Sequence, residues 1–251
     1  MELKILGSSS AGNCYVFDNG KEALVVECGI SYIEVKKAVD FDITRIVGCL
    51  ISHEHGDHAK EVQKFIQARI DVYLSAGTAF ALDIEHLLGK GVYIMPPLHT
   101  KHAALCGNFE VIAFPTKHDA AEPFGFLIRH PEMGTVLFAT DTYYLTYKFS
   151  GLNNILLECN YRQDILDRNT DLDLIPQSQR DRTIQSHMSF KTCMQTLLAN
   201  DLSAVNNIVL IHLSSANSNA VEFKKVIQDA TGKTVHIANK GMTLQFNKTP
   251  F

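Results

Sequence analysis

One stretch constrains this chain more than any other: an uninterrupted apolar run, residues 46–51, passes straight into Ser52-His53-Glu54-His55-Gly56-Asp57-His58. Four side chains able to bind a metal ion, His53, His55, Asp57 and His58, therefore fall within six residues. Imidazole and carboxylate are the ligand set of zinc and its chemical neighbours. On an extended segment the i, i+2 spacing sends His53 and His55 to one side, which leaves Asp57 and His58 to face a second ion. Gly56 suits a tight turn that brings the two pairs together. The run ahead of them has the length and the branched residues of a buried strand, and the C-terminal end of such a strand is where α/β proteins place chemistry. A solvated polar loop explains one isolated histidine, but not this string directly after a buried strand.

A metal site also needs ligands from distant sequence. Three candidates follow strand-like runs: His118 after residues 111–114, Asp141 after 136–139 and His212 after 208–211. Each alone reads equally well as a cap or turn residue. The same context recurring in a chain that already carries the string favours ligation.

The remaining patterning predicts short strands at 3–6, 14–17, 23–27, 46–51, 72–74, 92–95, 109–114, 124–128, 136–139, 155–158, 208–211, 235–237 and 242–246. Helices are expected at 31–39, 60–68, 78–88, 191–199 and 221–230. The second half repeats the rhythm of the first, and strand runs with interspersed helices in two halves predict an α/β chain in four layers, an αβ/βα sandwich. No repeat, low-complexity tract or long linker marks a boundary, so residues 1–251 read as one domain.

A net charge of −4 argues against a general, field-driven attraction to nucleic acid and leaves room only for a local basic patch. The six cysteines stand singly in apolar stretches with no C-x-x-C pair, as reduced core thiols of a cytosolic protein do. The opening residues lack the charged and apolar regions of a signal peptide, and no spanning run follows, so a soluble, cytoplasmic protein without a membrane partner is expected.

The string from His53 to His58, followed in order by His118, Asp141 and His212, resembles the metallo-β-lactamase superfamily over essentially the whole chain. That resemblance implies its sandwich fold and two divalent metal ions, with zinc as the first expectation and manganese as the alternative. His53, His55 and His118 would hold the first ion, Asp57, His58 and His212 the second, and Asp141 would bridge both. The true β-lactamases of the fold carry cysteine where this chain has Asp141 and lack a counterpart of His58. The flavodiiron branch uses a carboxylate in place of His55.

Finer stretches point to one branch. Leu6-Gly7-Ser8-Ser9-Ser10-Ala11-Gly12-Asn13-Cys14, Thr116-Lys117-His118-Asp119-Ala120-Ala121-Glu122-Pro123-Phe124-Gly125, Ala139-Thr140-Asp141-Thr142, Leu157-Glu158-Cys159-Asn160 and His187-Met188-Ser189 resemble the YycJ (WalJ) group. These are small bacterial and phage proteins regarded as DNA exonucleases, similar in turn to tRNase Z. Two positions depart from the pattern: Glu27 replaces an aspartate that orients a ligand histidine, and Tyr143 replaces a glycine after the Asp-Thr pair.

The expected chemistry follows. Two ions roughly 3.5–4 Å apart bring a bridging water to hydroxide near neutral pH and polarise a phosphoryl group. Asp57 or Asp141 would orient that nucleophile, and the similarity to tRNase Z implies that His187 would protonate the leaving alkoxide. Ser9 and Asn13 in the serine loop, Asn160 and Arg182 are the expected substrate contacts, whereas Arg162, Arg168 and Arg180 read as solvated face. The leading reading is a phosphodiesterase or exonuclease acting on DNA. Its alternatives are a metal-dependent hydrolase of a small phosphodiester, ester or thioester, and a non-catalytic metal-binding protein. Polarity, native metal and oligomeric state stay open.

Overall fold

The computed structural model describes residues 1–97 and 103–249. The first half of the chain contributes β1 (Glu2–Gly7), β2 (Cys14–Asp18), β3 (Ala23–Val26), β4 (Ile46–Leu50), β5 (Val72–Leu74) and β6 (Val92–Ile94) to one sheet. The second half contributes β7 (Ala104–Cys106), β8 (Phe109–Pro115), β9 (Phe124–His130), β10 (Gly134–Ala139), β11 (Asn154–Glu158), β12 (Asn207–Ile211) and β13 (Thr234–Ile237) to the other. The last strand, β14 (Met242–Gln245), returns to pair antiparallel with β1. The spatial orders are β14-β1-β2-β3-β4-β5-β6 and β13-β12-β11-β10-β9-β8-β7. Each sheet is antiparallel near its first strands and parallel beyond, from β3 to β6 in one and from β10 to β13 in the other. Parallel strands are covered on both faces, and β11 and β12 are accordingly almost wholly buried.

The pleat sorts the side chains into layers. Tyr15, Phe17, Leu24 and Val26 join Phe109, Val111, Phe126 and Phe138 in the core between the sheets. Their neighbours Cys14, Val16, Ala23 and Val25 pack outward with Val35 of α1 (Tyr32–Ala38) and Phe65 of α3 (Val62–Gln67). On the far side Leu157, Ile208 and Leu210 pack with Cys193 and Leu197 of α7 (Phe190–Ala199) and Phe223 and Ile227 of α8 (Ala220–Thr231). The layers therefore run helix, sheet, sheet, helix, the expected αβ/βα sandwich.

Three local readings differ. The helix expected at 78–88 is α4 (Ala76–Ala81), which begins where the Ser75 hydroxyl accepts from the Thr78 amide; Asp83 then takes a left-handed φ of 55°, and only a 3₁₀ turn follows at Glu85–Leu87. The charged segment around residues 161–186 folds as two helices, α5 (Gln163–Asp171) and α6 (Gln177–Ser186). The edge strand β7 was not expected at all. All six cysteines are buried and unpaired.

Candidate metal centre

The loop after β4 is held down from both sides. Its short helix α2 (Gly56–Ala59) starts with His55 in the capping position. Cys28 N–H donates to the His58 carbonyl at 2.7 Å, and Asn13 N–H donates to the Asp57 carbonyl at 2.8 Å. That approach is possible because residue 29 is glycine: a Cβ there would overlap the Asp57 carbonyl. Gly56, by contrast, has open space around it and an ordinary φ, so the close contact expected of it belongs to Gly29.

Two groups of potential ligands result. His53, His55 and His118 form one, and Asp57, His58, Asp141 and His212 the other, with the ligand atoms in each lying within 4.8 Å of one another. In the first, His55 Nδ1 lies 3.1 Å from both His53 Nε2 and His118 Nε2. In the second, His58 Nε2 lies 3.3 Å from Asp57 Oδ2 and 3.4 Å from Asp141 Oδ2, and His212 Nε2 lies 3.4 Å from Asp57 Oδ2. The Asp141 carboxylate stands between the groups, its Oδ2 3.5 Å from His118 Nε2 and 3.8 Å from His53 Nε2. Four of the seven sit just past strands, His53 after β4, His118 after β8, Asp141 after β10 and His212 after β12, while His55 caps α2 and Asp57 and His58 lie within it. Three residues of the site, Glu27, Asp141 and His212, take left-handed φ values of 66°, 43° and 53°.

The electrostatics of the two groups fit divalent cations. Burial, then the charge of neighbouring imidazoles, holds His53 well below its ordinary pKa, and burial lowers His118 as well. Neutral rings thus turn lone pairs towards one point, an arrangement a cation satisfies. The second group is rich in carboxylate. Burial opposes charge on His58 and His212, yet Asp141 and the other nearby carboxylates outweigh it, raising His58 well above its usual range and His212 to about 10. Burial likewise disfavours the Asp141 carboxylate, but His212 and His58 hold it ionised far below the ordinary range. So much demand for positive charge in a buried pocket is what a metal ion meets.

Behind the ligands stand groups that orient them. Glu158, the last residue of β11, is fully buried; its Oε1 lies 2.7 Å from His187 Nδ1 and 3.4 Å from His212 Nδ1, and its Oε2 accepts from the backbone of Thr142 and Met188. Burial disfavours charge on His187, but Glu158 outweighs it and raises the pKa. Glu158 also lies within a third ligand-type group with Asp141, His187 and His212. In the sequence Glu158 stands within the family-like stretch Leu157-Glu158-Cys159-Asn160 but receives no role of its own, although an acid at the end of an apolar strand is close to the signal that picked out Asp141. Glu27 is fully buried with Oε2 3.6 Å from His58 Nδ1, beyond a hydrogen bond, and Glu27 Oε1 and His58 Nδ1 have no hydrogen-bond partner among the described residues.

A cavity of about 250 Å³ opens onto the centre, lined by His55, Asp57, His118, Asp141, His187 and His212 below and by Ser10 with Gln179, Arg182, Thr183 and Ser186 of α6 above. Of the expected substrate contacts, only Arg182 is among these lining residues. Asn13 is fully buried and gives its side-chain amide to the Ser9 and Asp57 carbonyls, with His58 Nε2 3.1 Å away. Asn160 donates to the His212 carbonyl at 2.8 Å. Ser9 closes the serine turn, its carbonyl accepting from Gly12, and its neighbour Ser10 is the serine at the cavity. Tyr143 is exposed and receives no further role from its contacts beyond an amide hydrogen bond to the Lys117 carbonyl.

Comparison with known proteins adds to this geometry. The profile described as Metallo-beta-lactamase superfamily matches residues 9–149, more than half of the chain. Exodeoxyribonuclease YycJ of Bacillus anthracis is 28% identical over 180 residues, covering 66% of this chain and 65% of the relative, so the match spans just under two thirds of that protein. Exodeoxyribonuclease WalJ of Streptococcus pneumoniae is 26% identical over 234 residues, covering 86% of this chain and 83% of the relative. Among solved structures, the metallo-beta-lactamase fold protein YhfI of Bacillus subtilis superposes with a TM-score of 0.73 at 16% identity, over 97% of this chain and 98% of that one.

Proposed function

The chain belongs to the metallo-beta-lactamase superfamily, and from that premise we propose that it is a hydrolase, a dinuclear-metal phosphodiesterase that acts on DNA as an exonuclease, its residues 1–251 forming one domain. The observation that carries this reading is the meeting of two ligand groups at Asp141 on the floor of a single polar cavity. His53, His55 and His118 would hold one ion and Asp57, His58 and His212 the other, with Asp141 shared between them. Such a pair supplies Lewis acidity, activating water near neutral pH and neutralising charge on the phosphoryl oxygens. The native ion is read as zinc, with manganese as the alternative.

The protein's own side chains do the rest. Asp57, partly open to the cavity, offers a carboxylate oxygen that orients the attacking water. His187 is held at Nδ1 by Glu158, which leaves Nε2 to hand a proton to the departing oxygen. Arg182 contributes a guanidinium for phosphate. Asn13 and Asn160 act through the ligands they touch rather than on substrate. The exodeoxyribonuclease names of the relatives support DNA as substrate. Among the described residues no helix is long and apolar enough to cross a membrane.

The small cavity and the net charge of −4 favour a second reading, a hydrolase of a small phosphodiester, ester or thioester. Degradation of 5′- and 3′-labelled single- and double-stranded DNA by wild type and Asp57→Ala, with Zn²⁺ and Mn²⁺ added separately, decides between them. The proposal expects metal-dependent loss of label in wild type alone. Metal-loaded wild type that leaves every DNA form intact overturns it in favour of the small substrate.

A further inference from the structure

Helix α6 presents one face to the cavity, Gln179, Arg182, Thr183 and Ser186, at the i, i+3, i+4, i+7 spacing of a single helical stripe. Arg182 is the one permanently charged cation among the described residues lining that cavity. The other arginines nearby are engaged twice over: Arg162 with Asp164 and Glu222, and Arg180 with Asp167 and Asp181. Among the described residues Arg182 has one acidic partner, its Nε donating to Asp119 Oδ2 at 2.8 Å. A guanidinium carries five N–H donors, so this bond fixes its plane and leaves the Nη donors for another acceptor.

Asp119 is the residue after His118 and touches it as well, with Oδ1 3.3 Å from His118 Nδ1. His118 Nδ1 lies 2.8 Å from the Ser186 carbonyl at the end of α6, and the Ser186 hydroxyl donates back to the Arg182 carbonyl. Asp119, Arg182, Ser186 and His118 thus close a ring that ties the guanidinium to the metal centre. The Arg182 and Asp119 side chains are 64% and 43% exposed, so a ligand in solution reaches the pair, and an exposed pair of this kind adds little to stability. Charge-assisted, bidentate contact with a phosphate is the stronger interaction for the same guanidinium.

We propose that Arg182, aimed by Asp119 as its positioning residue, reads a second phosphate, the one next to the bond being broken. This rests on the phosphodiesterase reading and narrows its substrate to a strand carrying at least two phosphates in sequence. The scissile group occupies the cavity floor, among Asp57, Asp141 and the histidines. Arg182, half in solvent on α6, meets the next anionic group along the strand.

The test uses oligonucleotides in which the linkage neighbouring the cleaved one is either a phosphodiester or a neutral methylphosphonate, and it reads the ratio of kcat/KM between the two within each protein. A ratio within one protein cancels any loss of folded or metal-loaded material. Wild type is expected to prefer the charged neighbour about tenfold or more, the effect of a charge-assisted hydrogen bond. Arg182→Ala should bring the ratio to about one. Asp119→Asn should lower the ratio towards one, and because the ratio is taken within one protein it is separate from any loss of kcat that the Asp119 contact with His118 transmits, which general loosening of the loop would change for both substrates alike. A wild-type ratio near one, or an Arg182→Ala protein that keeps the wild-type ratio, overturns the inference while leaving the nuclease reading intact. Wild type that cleaves no oligonucleotide but hydrolyses bis(4-nitrophenyl) phosphate overturns both.

Discussion

Asp18 illustrates how single residues hold the frame on which the centre rests. Near one end of β2 its carboxylate accepts from Lys4 Nζ at 2.8 Å and from Arg45 at 2.7 Å, locking β1 and the approach to β4. Burial alone would raise its pKa, but the hydrogen bonds and charges of Lys4, Gly20 and Arg45 outweigh it and hold the group below the ordinary carboxylate range. A folded pKa below the unfolded one means stability that is present above the unfolded value, near 4, and lost as pH falls through the folded value. Asp18→Asn should therefore cost about 3 kcal/mol at pH 7, and the gap to wild type in urea midpoint should close as the pH drops below about 4. At the site, His187→Ala should lower kcat about 100-fold or more while bound metal stays at the wild-type level; an unchanged kcat would remove His187 from the proton transfer. The string from His53 to His58 was legible because polar groups directly after a buried strand have few structural explanations. Glu158 carries the kind of signal that picked out Asp141 but was given no role, because that signal alone does not tell a carboxylate that braces two histidines from one that merely ends a strand.

Individual elements differ in how much they signal. Strands such as β4 and β12 announce themselves as branched, apolar runs, and their C-terminal ends correctly marked where ligands would meet. Helix α6 gives almost no such signal: its sequence Gln177-Ser178-Gln179-Arg180-Asp181-Arg182-Thr183-Ile184-Gln185-Ser186 holds one apolar residue, so no hydrophobic period exists to read. It is polar because one face lines the cavity and the rest is largely open to solvent. The three-residue β7 is too short to stand out from a loop. The α2 turn depends on a contact invisible in linear sequence, Gly29 against the Asp57 carbonyl. Gly29→Ala should displace α2, destabilise the protein by about 2 kcal/mol or more and weaken metal binding with it. Chemical denaturation together with metal titration checks this, and wild-type values in both would mean the loop can give way without consequence.

For the molecule as a whole, the two sheets are a rigid frame and the centre is where they meet at their strand ends. Four layers and the pairing of two similar halves were readable from the alternation of strand and helix patterns, whereas the order of strands within each sheet was not, since it depends on contacts between distant segments. Gathering buried imidazoles and carboxylates in one place is unfavourable for the bare fold, so metal should stabilise the whole protein and not only its loops. Ion at 100 times its dissociation constant adds about 2.7 kcal/mol. A chelator should accordingly lower the Tm by several degrees, and added Zn²⁺ or Mn²⁺ should restore it; a Tm indifferent to both would speak against a folded-state metal site. The most direct test of the central claim is anomalous scattering from crystals of the metal-loaded protein, recorded at the absorption edge of the bound ion. Two peaks are expected, one among His53, His55 and His118 and one among Asp57, His58 and His212, with Asp141 between them. A single peak, or peaks away from these residues, would contradict the dinuclear assignment.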